Sequence, residues 1–231
     1  MGYAKILTEF TNRVSLINNT QDIQNTYYLE LTTQDLIFHS NILKPTSIRE
    51  IYRKLLMRIT NINQELLLKA IYTKNKKILN ILDITAGFGK DASIMAHRGH
   101  HVTMCEHHPI TATILYYASI NNLIPNTCKV IYVKDSFDFI TSLPEGNLYD
   151  VIYFDPMFED HKTAKSKKDM QIIQLLTSNM MSNYSNQDIL AIAKQKVKKV
   201  VVKRDNKHTQ VLYNDPPVKM ITGTTVRFDI Y

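Results

Sequence analysis

Glycine is scarce in this chain: six residues in 231, at 2, 87, 89, 99, 146 and 223, against a usual share of about 7%. Tryptophan is absent, and cysteine occurs only at 105 and 128, which excludes a disulfide framework and a cysteine-based zinc site. No apolar run approaches the ~18 residues of a membrane span. The opening MGYAKILTEF lacks the apolar core of a signal peptide. The chain begins Met-Gly, but Ile6 stands where a myristoylation motif needs Ser or Thr. Five histidines (97, 100, 101, 107 and 108) crowd one stretch without clean ligand spacing. The expectation is a reducing, cytoplasmic setting with no membrane association and no bound metal.

What the chain does contain is positive charge. Lys plus Arg is 28 and Asp plus Glu is 21, so the net charge is 28 − 21 = +7. That balance suits an anionic partner such as nucleic acid, and equally a genome rich in Lys, Asn and Ile codons. At 231 residues with 44% hydrophobic content, one domain with a full core and a small appendage is expected. Two glycines of six fall within three residues, at 87 and 89, where the backbone must need them.

There is no internal repeat and no low-complexity linker. Residues 1–77 read as a small α+β appendage and 78–231 as the main domain. In the first part, Tyr27–Leu31 and Leu36–Phe38 flank a turn and predict a hairpin. Ser47 with Glu50 forms a capping box for a helix carrying Ile48, Ile51, Leu55 and Leu56. A second helix is expected over Asn63–Tyr72. From residue 78 strand and helix alternate: strands over Ile78–Asp83, His101–Glu106, Lys129–Val133, Val151–Phe154 and Lys199–Lys203, and helices over Asp91–Arg98, Pro109–Asn122, Ser136–Leu143, Ser166–Met181 and Asn186–Lys196. Gly99 sits where a C′ glycine closes a helix, and Ser185 with Asp188 forms a second capping box. Val218–Ile221 and Val226–Tyr231 end the pattern as an antiparallel pair. Alternation with nearly all-apolar strands predicts an α/β doubly wound, mostly parallel sheet.

Two segments carry chemistry. In the first, Asp83-Ile84-Thr85-Ala86-Gly87-Phe88-Gly89-Lys90-Asp91-Ala92 joins a strand to a helix. Glycine there allows a tight turn and close ligand approach at a helix N-terminus. Glu106 follows at the end of the second strand, where such folds place the carboxylate that accepts from ribose hydroxyls. The segment formally fits the G-x-G-x-x-A of dinucleotide sites. However, Asp83 would repel a pyrophosphate and suits the cationic amino-acid end of S-adenosylmethionine, and D-x-x-x-G-x-G resembles the first motif of class I methyltransferases. The second segment, Asp155-Pro156-Met157-Phe158, follows the fourth strand and resembles the (D/N)-P-P-(Y/F) motif of methyltransferases acting on amines conjugated to planar rings. Acceptors at Asp155 and Pro156 can localise such a lone pair, Pro fixes the backbone, and Phe158 can stack on a base. Asp135-Ser136 after the third strand would lie beside adenine, or cap the next helix. Of the lysines, Lys162, Lys165, Lys167 and Lys168 at the mouth of the site, with Lys203 and Arg204 at a strand tip, are expected to contact phosphates; the run 194–199 reads as a solvated face.

Together, Leu82–Ala92, Val151–Phe158, Lys167-Lys168-Asp169-Met170, Val200-Val201-Val202-Lys203-Arg204 and Arg227–Tyr231 resemble the small-subunit ribosomal RNA (guanine-N2) methyltransferase J family over about 78–231. The resemblance implies a Rossmann-like class I fold with a seven-stranded sheet. It also implies S-adenosylmethionine-dependent methylation of a guanine exocyclic amine in small-subunit ribosomal RNA. Cofactor contacts would fall on Asp83, Ala86, Gly87, Gly89, Lys90-Asp91, Glu106-His107, Asp135-Ser136 and Asp155, with catalysis on Asp155, Pro156 and Phe158. Family members carry a glycine-rich stretch after an Arg-Lys pair, whereas Arg53-Lys54 here is followed by Leu55-Leu56-Met57-Arg58. Rival readings are a methyltransferase for another planar amine, such as adenine in DNA or RNA, a non-catalytic cofactor-binding RNA-assembly protein, and an NAD oxidoreductase. The last lacks an evident acid–base pair at a strand tip.

Overall fold

The computed structural model describes residues 27–146, 148–156, 168–177, 184–206 and 215–231. The main sheet has seven strands: β4 (Asn80–Asp83), β5 (His101–Glu106), β6 (Cys128–Tyr132), β7 (Val151–Phe154), β8 (Val200–Asp205), β9 (Lys219–Thr222) and β10 (Val226–Ile230). Their order across the sheet is β6-β5-β4-β7-β8-β10-β9. β4 to β8 pair in parallel. β10 runs antiparallel between β8 and β9. The chain reverses its direction of travel across the sheet between β4 and β7, which opens a crevice at the carboxyl ends of those two strands.

Strand side chains alternate between two apolar layers, as period-two geometry dictates. Ile81, Met104, Val151, Tyr153 and Val201 enter one core with helices α1 (Ile48–Ile59), α2 (Leu66–Ile71), α3 (Lys90–His97), α4 (Pro109–Ile120) and α6 (Lys168–Thr177). Leu82, Cys105, Ile152, Phe154, Val200 and Val202 enter the other, under α5 (Ser136–Ser142) and α7 (Asn186–Lys196). Both thiols are buried; burial pushes the Cys128 thiol up to about 12, so neither is a candidate nucleophile.

The expected hairpin forms as β1 (Tyr27–Leu31) against β2 (Leu36–Ser40), and a short β3 (Thr46–Ser47) extends it to three strands. Ser47 Oγ accepts from Glu50 N at 3.0 Å. The Glu50 carboxylate turns instead to Arg53 and Lys54, so only half of that capping box forms. The Arg53-Lys54 stretch is the middle of α1, with Tyr52 and Leu55 buried beneath it. This layer shares its core with the main sheet: Phe38, Ile48 and Tyr52 pack with Ile81, Met95 and Leu115.

One expected helix is broken. Residues 63–72 divide into a short 3-10 turn at Ile62–Gln64 and α2, because Glu65 takes an extended conformation with ψ of 118°. The break lets Leu67, Ala70 and Ile71 bury against the β9–β10 end of the sheet. Elsewhere the expected elements form with ends shifted by one to two residues. α3 closes at Gly99 (φ +87°). There the N–H groups of Gly99 and His100 donate to the carbonyls of Ala96 and Met95, a Schellman closure. Ser185 and Asp188 form both halves of the box on α7. The ends of the helix expected over Ser166–Met181 lie outside the described residues.

Candidate active site

The site begins where β4 stops. Asp83 is almost wholly buried, 1% exposed, and its Oδ1 accepts from Thr85 N at 3.1 Å. The chain then turns through Gly87 (φ +54°) and Gly89 (φ +65°), a region L side chains enter at a cost. At Gly89 space adds a second reason: a Cβ there would stand 2.8 Å from Leu115 Cδ2 and 2.9 Å from Met104 Sδ. Gly89 N donates to Ala86 O at 2.7 Å, and Ala86 N to Cys105 O at 3.1 Å. The turn is pinned from β5 by Glu106, whose Oε2 accepts from Gly87 N at 2.9 Å. Its Oε1 accepts from His107 N at 2.9 Å and His108 N at 2.7 Å. Burial raises the Glu106 carboxyl above its ordinary value, and these donors and His107 oppose the shift. Tyr52 of α1 holds the turn from the other side, donating to Phe88 O at 2.9 Å.

On the α3 face of the sheet, at the strand tips, a cluster of charge is assembled. Lys203 Nζ of β8 donates to Asp91 Oδ2 and to Asp155 Oδ2, each at 2.7 Å. Tyr153 of β7 donates its hydroxyl to the same Asp91 oxygen at 2.7 Å. Asp155 N donates to Thr85 Oγ1 at 2.7 Å, which ties the strand tip to the turn. Burial alone would lower the Lys203 ammonium; Asp91 and Asp155 together outweigh it and hold it above its ordinary value. Burial raises Asp83 well above its ordinary range, and the neighbouring Asp91 and Asp155 add to the shift. Beside the cluster, Lys90 pairs with Asp169 of α6, joining the start of α3 to α6.

The remaining expected residues fall as follows. Asp135 caps α5, accepting from Phe137 N at 2.7 Å, and Ser136 Oγ donates to Ile84 O at 2.8 Å; both lie beside the turn. His107 is half-exposed, its Nδ1 3.4 Å from Glu106 Oε1. Lys168 begins α6 and is exposed. Phe158, Lys162, Lys165 and Lys167 lie outside the described residues.

Two expectations are corrected. Lys203 is not a surface phosphate contact: it points into the acid cluster with Val201, because alternation places both on the α3 face. Arg204 takes the opposite face and is 5% exposed, its guanidinium turned to the buried Asp229 at 3.8 Å. Residues 194–199 form the solvated face expected of them, with Lys194, Gln195 and Lys198 exposed. Lys196 donates to the carbonyls of Thr141 and Leu143, Lys194 pairs with Asp215 and Lys199 bonds Tyr72 O.

Tyr153 and Thr85 are the contributors that sequence reading passed over. Tyr153 is legible as the strand residue two before Asp155, whereas Thr85, in the turn beyond β4, meets Asp155 only because β4 pairs with β7. Three of the crowded histidines serve local structure. His97 bonds Ser93 O at 2.7 Å, His100 accepts from Leu79 N at 3.3 Å and His108 caps α4 by accepting from Ile110 N. Among the described residues, no group of three or more His, Cys, Asp or Glu could hold a metal ion.

The donor set can be tested against a cofactor. Asp83, Asp91 and Asp155 surround a single lysine, and a fourth carboxylate, Glu106, caps the neighbouring strand. A pyrophosphate would meet repulsion here, whereas a ligand with a sulfonium and an ammonium would meet attraction. The residues present fit S-adenosylmethionine.

The comparisons agree with that chemistry. Residues 29–231 match the family described as "Putative SAM-dependent methyltransferase". A ribosomal RNA small subunit methyltransferase J of Francisella philomiragia is 33% identical, over 94% of this chain and 96% of its own length. The Legionella pneumophila (strain Corby) protein of that name is 41% identical over 68% of this chain. That match spans 65% of the Legionella protein's length. A SAM-dependent methyltransferase of Neisseria gonorrhoeae superposes with a TM-score of 0.66 at 20% identity, covering 100% of this chain and 91% of that one, which shows the shared fold. With its parallel sheet, its glycine turn and its acid-lined crevice, the chain belongs to the SAM-dependent methyltransferase family that contains the ribosomal RNA small subunit methyltransferases J.

Proposed function

We propose that this protein transfers a methyl group to the exocyclic N2 amine of a guanine in small-subunit ribosomal RNA, in the cytoplasm. The observation that carries the reading is Asp155-Pro156 at the tip of β7, beside the glycine turn and fixed to it through Thr85. The names of the relatives supply the RNA.

Bound S-adenosylmethionine supplies an electrophilic methyl group. The protein's own residues do the rest by positioning and electrostatics. Gly87, Gly89 and Ala86 would let the backbone come close to the cofactor, and Glu106 and His107 would hold its ribose. Asp135 and Ser136 would hold the adenine. Asp83, Lys90 and Asp91 would hold the amino-acid end. A guanine amine is a weak nucleophile because its lone pair is shared with the ring. Asp155 and the Pro156 carbonyl accept its N–H bonds, favour a tetrahedral nitrogen and hold it in line for attack. Asp155 then takes one amine proton and passes it to water. The base must be unpaired or flipped to reach this depth, and Phe158 stacks on it. Lys162, Lys165, Lys167 and Lys168 meet the RNA backbone.

The test is transfer of tritiated methyl groups to ribosomal RNA from cells lacking the enzyme, followed by nucleoside analysis. Asp155→Ala abolishes transfer while the protein stays folded, and Asp155→Asn keeps part of it through its acceptor oxygen. An Asp155→Ala protein as fast as the parent, or methyladenine as product, overturns the reading.

A further inference from the structure

Lys203 lies on β8 rather than on either motif, yet it touches both. Its Nζ stands 2.7 Å from Asp91, in the first turn of α3, and 2.7 Å from Asp155, beyond β7. The side chain is 23% exposed and that of Asp91 11%, while Asp155 is open at 37%. The ammonium is therefore on the protein side of the catalytic carboxylate, with the open side left to substrate. Burying an ammonium is costly, and an apolar side chain would fill the same space without that cost. What an apolar residue could not do is hold two carboxylates that otherwise repel each other. Tyr153 fixes Asp91 from β7, so the clamp runs unbroken from the helix that starts at the glycine turn to the residue that meets the amine.

We infer that Lys203 is a positioning residue for methyl transfer, clamping Asp155 to Asp91 so that the acceptor carboxylate keeps a fixed place relative to the cofactor turn. The inference rests on the proposed role of Asp155. Without Lys203, Asp155 loses the cation that offsets the carboxylates of Asp91 of α3 and Asp83 of β4, with the Tyr153 hydroxyl and the Lys90–Asp169 pair among the surrounding groups. It then swings away or takes up a proton.

The test uses Lys203→Met in the full chain. The variant is followed by circular dichroism, by calorimetric binding of S-adenosylhomocysteine, by methyl transfer to ribosomal RNA, and by carboxyl-carbon NMR titration of the cofactor-free protein, with the Asp155 signal assigned from Asp155→Asn. The expected protein is folded and binds S-adenosylhomocysteine within about threefold of the parent. A carboxylate displaced by about 1 Å costs about 100-fold in rate, so kcat falls by about that much and KM for RNA stays put. Asp155 titrates at least about one pH unit higher. Lys203→Arg, which keeps the cation, recovers part of both. If Lys203→Met does not fold, the same readings on Lys203→Gln decide. Unchanged kcat with an unchanged Asp155 titration overturns the clamp; so does a loss confined to KM for RNA, which would make Lys203 a phosphate contact. Activity in Asp155→Ala would overturn the proposed function alone, since the titration still reports on the clamp.

Discussion

Gly87 donates its N–H to Glu106 Oε2 at 2.9 Å, so the carboxylate at the tip of β5 holds the turn that follows β4. The same group is the one expected to accept from a ribose, and it therefore serves the turn and the ligand together. Glu106→Ala should weaken S-adenosylhomocysteine binding about 10- to 100-fold, the loss of one or more charged hydrogen bonds at about 1.5–3 kcal/mol each. Titration calorimetry measures this. Affinity equal to the parent's would show that the carboxylate serves the turn only.

The N-terminal layer reaches the turn through Tyr52, 1% exposed, whose hydroxyl bonds Phe88 O. Tyr52→Phe leaves that carbonyl unpaired in the core, at a cost of about 1–2 kcal/mol. Urea unfolding should show the loss. If the layer braces the turn, S-adenosylhomocysteine binding weakens as well; unchanged affinity would confine Tyr52 to stability.

Asp229 is wholly buried between Arg227, whose Nε and Nη2 lie 3.0 and 3.2 Å from its oxygens, and Arg204. Asp229→Asn removes the buried carboxylate that two buried guanidiniums share, and stability should fall by about 3–5 kcal/mol. RNA affinity of the folded fraction should keep its dependence on salt, because Arg204 and Arg227 lie in the interior. A steeper salt slope in a filter-binding titration would return Arg204 to the RNA surface.

His108 gives a pH signature. Burial, aided by His107, pushes its imidazole down to about 4 from 6.5. The unfolded chain takes up that proton first, so stability is complete above 6.5 and drains away as pH falls toward 4. The loss amounts to about 2–3 kcal/mol at the acid end. His100, also depressed by burial, acts in the same direction, and Glu106, raised by burial, acts against it. The comparison with His108→Asn isolates His108, since Asn keeps an N-cap acceptor for Ile110 but does not titrate there. Between pH 7 and pH 4 the denaturant midpoint should fall more steeply for the parent than for His108→Asn; parallel curves would show that His108 is not the source.

The parts of this fold legible in the sequence are those written in local spacing. Ser185 and Asp188, three apart, declare the start of α7, and Tyr27–Leu31 with Leu36 declares a hairpin. The glycine pair declares its turn because so few glycines exist elsewhere. The place of Lys203 is hidden for the opposite reason. In sequence it belongs to a basic stretch that continues through Arg204 to Lys207, and only the pairing of β8 beside β7 brings it to Asp155. The one local clue was three valines before it: a lysine that continues a central strand shares a face with the residue two before, here the buried Val201. The place of Arg204 is hidden with it, since the carboxylate its guanidinium turns to, Asp229, lies 25 positions away on β10. The break at Glu65 was also hidden, because α2 is placed by its docking on β9 and β10 rather than by helical propensity, and tertiary contacts override such preferences.

β9 precedes β10 in the chain, yet β10 lies between β8 and β9 and hydrogen-bonds to both. Until β10 inserts, β8 and β9 each keep a bare edge, and bare strand edges are templates for pairing with other chains. A chain cut back to residue 225, which keeps β8 and β9 and lacks β10, should therefore scatter light from aggregates sooner than the full chain does.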